Sequence, residues 1–151
     1  MGPYPGTVAT PWSLTIDCAS PSTLAGFWAE ALGYAPAPPP PGWSSWDAWF
    51  DDHDVPVDER GDGAFLHDPA GVAPAISFLR VPEDKIVKNR MHLDLAVGGG
   101  RHVAWDERRR RVVTEVERLV ALGATVLAEV PADRPDHVTM ADPEGNEFDV
   151  L

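Results

Sequence analysis

The chain has 151 residues, 44% of them hydrophobic, with twelve Lys and Arg against twenty-four Asp and Glu and a formal net charge of −12. This length can bury a sizeable core, and the acidic balance repels phosphate backbones and anionic lipid, so nucleic acid and membrane surfaces are poor partners. There is no run of 18 apolar residues and no basic-then-apolar opening in MGPYPGTVATPW, so a cytoplasmic protein is expected.

The first periodic stretch, SLTIDCA (13–19), alternates: Leu14, Ile16 and Cys18 share one face of a strand, and Ser13, Thr15 and Asp17 share the other. The lone Cys18 falls on the apolar face, as a small buried hydrophobe, and can form neither an internal disulfide nor a cysteine zinc site. SPSTLAGFWAEALG reads as a helix, with Ser20 as N-cap, Pro21 in the first turn and Gly33 as terminator. Its Leu24, Phe27, Trp28, Ala31 and Leu32 form the stripe that packs on a sheet.

The proline-rich APAPPPPG (35–42) is neither helix nor central strand and reads as an extended surface connector. Beyond it, WSSWDAWFDDHDVP predicts a short serine-capped helix ended before Pro56, with aromatics at 43, 46, 49 and 50. Such spacing serves packing in most helices. Its second use is an aromatic wall for a ligand, which makes Trp46 and Trp49 candidates for the rim of a cavity.

Two stretches carry the same turn chemistry: GAFLHD and AISFLRV flank DPAG (68–71), and HVTMAD and EFDVL flank DPEG (142–145). Proline presets the turn and glycine supplies positive φ, so each predicts a hairpin. Between them NRMHLDLAV (89–97) alternates again, setting Met91, Leu93, Leu95 and Val97 against His92 and Asp94. Residues i and i+2 of a strand stand about 6.6 Å apart on one side, so His92 and Asp94 can reach one small ligand, the carboxylate orienting the imidazole for proton transfer. Glu147, on the same face as Asp149, is a further candidate acid or base. A long helix over about 105–122 buries Val112, Val116, Leu119 and Val120, and its RRRR (108–111) winds around the helix as solvated charge. ATVLAEV then reads as a strand.

The two halves share one order: polar-faced strand, helix ending in Leu-Gly, strand-like stretch, hairpin across Asp-Pro-x-Gly. The chain is an internal repeat, with modules at about 12–82 and 87–151 forming one domain over 1–151. From Gly33 to Asp68 is 35 residues, against 19 from Gly123 to Asp142, and the difference is the proline and tryptophan insertion at about 35–58.

This order, with SPSTLAGFWAEALGY, FLRVPEDKIVKNRMHLDLAV and ADPEGNEFDVL, resembles the glyoxalase-like branch of the vicinal oxygen chelate superfamily of glyoxalases, bleomycin-resistance proteins and extradiol dioxygenases. The resemblance implies an α+β fold of two βαβββ modules forming an open, cup-like mixed sheet with helices outside, and a homodimer as the default assembly. It also implies a small-molecule ligand in the cup and, in metal-using members, a divalent cation held by four side chains from the first and last strands of both modules. Those positions fall here on Ser13, Ser77, His92 and Asp149, with a two-residue slide to Asp17 left open at the first. Only His92 and Asp149 are strong ligands, an incomplete set that Asp94 or Asp17 could complete, so weak metal binding is expected.

The candidate site is thus His92, Asp94 and Glu147 for proton transfer, Thr15, Asp17, Ser77, Trp46 and Trp49 for ligand contact, and His92 with Asp149 for a metal. His92, Asp94 and Asp149 are expected to point into one concave pocket. Two activities are compatible with it: an enzyme of lyase, isomerase or dioxygenase type acting on a small oxygenated molecule, or a non-catalytic protein that sequesters an aromatic or cationic compound.

Overall fold

The structure is a computed structural model that describes residues 9–151; MGPYPGTV, part of the opening read above against a secretion signal, lies outside them. Along the described chain come β1 (Leu14–Cys18), α1 (Pro21–Leu32), β2 (Ala35–Pro36), α2 (Trp46–Asp52), β3 (Gly63–His67), β4 (Ile76–Arg80), β5 (Asp94–Leu95), α3 (Trp105–Ala121), β6 (Thr125–Val130), β7 (His137–Ala141) and β8 (Glu147–Val150). The strands make two four-stranded sheets with matching order, β1-β4-β3-β2 and β5-β8-β7-β6. Each sheet has one parallel pair, β1 with β4 and β5 with β8, followed by antiparallel pairs. The fold is therefore α+β, with open mixed sheets that do not close into a barrel. No helix among the described residues is long and apolar enough to cross a membrane.

The hairpins form where the turn chemistry predicts, with Gly71 and Gly145 both at positive φ. In the first, the Asp68 carboxylate also accepts hydrogen bonds from the amides of Ala70, Val72 and Ala73. The strand expected over 89–97 is shorter, only Asp94–Leu95, which pair with Asp149 and Val150 at the end of β8. Met91, expected on the buried face, is 80% exposed.

On α1 the predicted stripe buries Leu24, Phe27, Trp28 and Ala31, and Gly33 ends the helix in the left-handed conformation. Ser20 differs from expectation, since its side chain makes no cap. The capping anion comes from the other hairpin, where the Glu144 carboxylate accepts from Ala19 N at 2.6 Å and Ser20 N at 3.0 Å. On α3 Val112 and Leu119 are buried, but Val120 is exposed. Successive helical residues turn by about 100°, so Val120 cannot share the face that seats Leu119.

One hydrophobic core joins both sheets. At its centre the Trp28 ring meets Phe27 and Phe148 edge-on, with centroids 5.2 and 5.1 Å apart. Its indole N–H donates to the buried Asp142 carboxylate at 3.0 Å.

Candidate functional site

Register brings the polar strand faces together. In the second sheet Asp94 pairs with Asp149 across β5 and β8, and Thr139 pairs with Asp149 across β7 and β8, so the three side chains lie in a row on one face. His92, two residues before Asp94, joins this row: its Nδ1 lies 2.8 Å from Asp94 Oδ1 and 3.6 Å from Asp149 Oδ2. An ionised carboxylate only accepts, so in the His92–Asp94 bond Nδ1 carries the proton, and the neutral form of the ring has its lone pair on Nε2. Thr139 Oγ1 in turn donates to Asp149 Oδ1 at 2.7 Å. The His92 and Asp94 side chains are about half exposed, whereas Asp149 is only 17% exposed.

A cleft of about 840 Å³ runs beside His92. Its floor is apolar, built from Leu14, Ile16, Trp28, Leu93 and Phe148, and its rim carries Asp17, Glu83, Asp84 and Glu147 against Lys85. The segment joining the sheets forms one wall and is fastened by Glu147, whose Oε2 accepts from Lys88 Nζ at 2.8 Å and Asn89 N at 3.1 Å. The Lys88 hydrogen bond holds the Glu147 carboxyl below the usual carboxylate range. Glu147 is thus an ionised anchor, poorly suited to the role of proton donor.

A divalent cation is compatible with the cluster. His92, Asp94 and Asp149 each offer one ligand atom within 4.8 Å of the others, and one imidazole with two carboxylates suits first-row divalent ions. Asp94 supplies the third donor; Asp17 lies outside the group. Aligning the sheets on Ser77 and Asp149 sets Thr15 level with Asp94, and Ser13 level with His92, so the first sheet presents hydroxyls where the second presents strong ligands.

The profile of the glyoxalase-like domain matches residues 13–151. The chain belongs to this family. No curated protein matches the sequence. Among solved structures, the fold is shared with a glyoxalase/bleomycin resistance protein/dioxygenase family enzyme from Burkholderia phytofirmans (TM-score 0.55, 14% identity, 91% of this chain and 94% of that one). It is also shared with a possible glyoxalase from Bacillus cereus (0.57, 13%, 95% and 99%). A third similar structure is a variant of the fosfomycin resistance protein FosX from Listeria monocytogenes, complexed with Mn(II) and 1S,2S-dihydroxypropylphosphonic acid (0.59, 14%, 95% and 92%).

Not every candidate residue of this glyoxalase-like chain reaches the cleft. Thr15, Asp17, His92 and Glu147 line it; Asp94 lines an adjoining cavity of about 390 Å³, and Ser77 and Asp149 line neither, Asp149 lying behind His92 and Asp94. The single shared pocket expected for His92, Asp94 and Asp149 is therefore a cluster at the border of two cavities. Trp46 and Trp49, expected at the rim, do not line the cleft. Trp46 stacks on Phe65 of β3 at 4.8 Å and donates to Ala37 O, while Trp49 stacks on His53. The insertion thus covers the β3 side of the first sheet, two strands away from β1, and Trp46 lines a separate cavity of about 370 Å³ against α1. Thr139 was missed by reading HVTMAD only as a strand. Its signal was the hairpin register, since a turn at 142–145 sets Thr139 opposite Asp149.

Proposed function

We propose that the chain is an enzyme of lyase, isomerase or dioxygenase type that binds a small oxygenated molecule beside His92. The observation that carries this is the 2.8 Å hydrogen bond from His92 Nδ1 to Asp94 at the edge of the large cleft. The bond fixes the tautomer, so Nε2 can take a proton from a bound ligand while Asp94 stabilises the resulting imidazolium. Thr15 and Asp17 supply polar contacts to the ligand, and Ile16, Leu93 and Phe148 exclude water from its apolar side. In a different use of the same side chains, a divalent cation held by His92, Asp94 and Asp149 would take the imidazole lone pair and supply a Lewis acid for a ligand oxygen in place of the base.

The rim charge guides the choice of ligand. With Glu147 paired to Lys88, Asp17, Glu83 and Asp84 against Lys85 disfavour a phosphonate of the kind bound by the FosX neighbour and favour a neutral or cationic molecule. The test is solvent deuterium uptake, followed by proton NMR, into a panel of neutral α-hydroxycarbonyl compounds incubated with the protein in D₂O. Uptake should be lost in His92→Gln and reduced in Asp94→Asn. Uptake that is unchanged in both variants would remove His92 as the base.

The second reading, sequestration without chemistry, is favoured by the same acidic rim together with Trp12, an exposed indole that lines the cleft, a pairing that suits an amphipathic cation. Thermal shifts produced by cationic aromatic compounds in His92→Gln as strongly as in the wild type, with no deuterium uptake in either, would favour it. The working form in both readings is a homodimer, supported by the open edge of β6, all of whose residues are exposed. Light scattering giving a monomer mass at micromolar concentration would refute the dimer.

A further inference from the structure

We propose that Thr139 is a positioning residue that sets the Asp149 carboxylate against His92. The inference rests on the reading of the His92 cluster as the working site. Three observations carry it. Thr139 and Asp149 are direct cross-strand partners on β7 and β8, and Asp149 is in turn the direct partner of Asp94 on β5, so the row is fixed by backbone pairing. The Thr139 hydroxyl donates to Asp149 Oδ1 at 2.7 Å, while Oδ2 is the oxygen facing His92 Nδ1 at 3.6 Å. Asp149 is the least exposed of the three cluster side chains, at 17%.

An ionised carboxylate has no donor of its own, and a mostly buried one needs donors from its neighbours. The other acidic member of the cluster, Asp94, can only repel it. Thr139 supplies the donor on the side away from His92, satisfying Oδ1 and fixing the plane of the carboxylate. That leaves Oδ2 turned toward the imidazole. His92 Nδ1 is consequently bracketed by two carboxylates: Asp94 is in hydrogen-bond contact, and Asp149 is held one step further away by Thr139. A hydroxyl is suited to this task because it neutralises none of the negative charge that the cluster offers to a cation or an imidazolium. A lysine or arginine at this position would occupy the carboxylate as an ion pair instead.

Valine is nearly isosteric with threonine and lacks the donor. In Thr139→Val the Asp149 carboxylate is free to turn, and the electrostatic surroundings of the His92 ring change without any contact to the ring being removed. The experiment is nitrogen-15 NMR of protein labelled at histidine, without ligand or added metal, at a fixed neutral pH. The His92 ring signals are identified by their loss in His92→Gln. In Thr139→Val the His92 ring nitrogens should shift by more than their line width while those of His53, His67 and His102 stay in place. Thr139→Ser, which keeps the hydroxyl, should restore the wild-type positions. Thr139→Ala, which also lacks the donor, should move the same signals and provides the readout if Thr139→Val folds poorly.

An unshifted His92 ring in Thr139→Val, or a Thr139→Ser spectrum matching Thr139→Val, would overturn the proposal. So would loss of stability without a spectral change, since that is what a merely structural threonine gives. The readout needs no turnover, so failure of the deuterium-uptake test and failure of this one are separate outcomes.

Discussion

The bond from Trp28 Nε1 to Asp142 Oδ2 ties α1 to the turn between β7 and β8, and its removal should be expensive. The two side chains are 2% and 3% exposed. In Trp28→Phe the carboxylate loses one of its donors; Asn146 Nδ2 still reaches Oδ2, while the amides of Glu144 and Asn146 still reach Oδ1. A hydrogen bond to a charged group contributes about 1.5–3 kcal/mol. The smaller ring leaves a void of roughly 40 Å³, which at about 24 cal/mol per Å³ adds about 1 kcal/mol. The edge-on contacts with Phe27 and Phe148 survive in part, so the total loss should be about 2.5–4 kcal/mol. Urea unfolding followed by far-ultraviolet circular dichroism measures it, and the cycle with Asp142→Ala, which leaves no acceptor, measures the coupling of the two side chains. The double variant should be less destabilised than the sum of the singles by about 1.5–3 kcal/mol. A coupling below about 0.5 kcal/mol, the range of independent sites, would show that the bond does not join the two halves energetically.

Asp68 predicts a pH dependence. Hydrogen bonds from the amides of Ala73, Ala70 and Val72 lower its carboxyl pKa in the folded chain, so its stabilisation is complete above the ordinary carboxyl value of about 4 and is lost as pH falls through the lower folded value. Asp68→Asn should therefore be less stable than the wild type at pH 7, with the gap closing in acid; a gap independent of pH between neutral and acid would refute this. For metal, calorimetric titration of Mn(II) and Zn(II) into tag-free protein should give dissociation constants weaker than about 1 μM, with binding abolished in His92→Ala. Submicromolar stoichiometric binding would show that the three donors of the second sheet suffice without help from the hydroxyls at Thr15 and Ser77.

Local chemistry made much of the fold legible in the sequence. Asp-Pro-x-Gly specifies its turn without reference to the rest of the chain, the Leu24–Phe27–Trp28–Ala31 stripe has helical period, and the polar faces at 13–17 and 92–94 follow from alternation. The duplicated order of elements gave the glyoxalase-like architecture. His92 with Asp94 was legible because both sit on one short stretch, and Thr139 was within reach of the hairpin register. Contacts between elements distant in the chain were decided only by tertiary structure. Ser20 has the composition of a cap, yet Glu144, 124 residues later, satisfies its amide, because packing α1 beside the second hairpin delivers a carboxylate there. Trp46 and Trp49 have the composition of a ligand wall, but Phe65 takes the ring of Trp46 and His53 that of Trp49, contacts that the spacing of aromatics along one helix does not reveal. Glu147 and Asp149 share one face of β8, yet Lys88 claims the first and Thr139 the second, and strand alternation carries no information about which neighbours arrive from other segments.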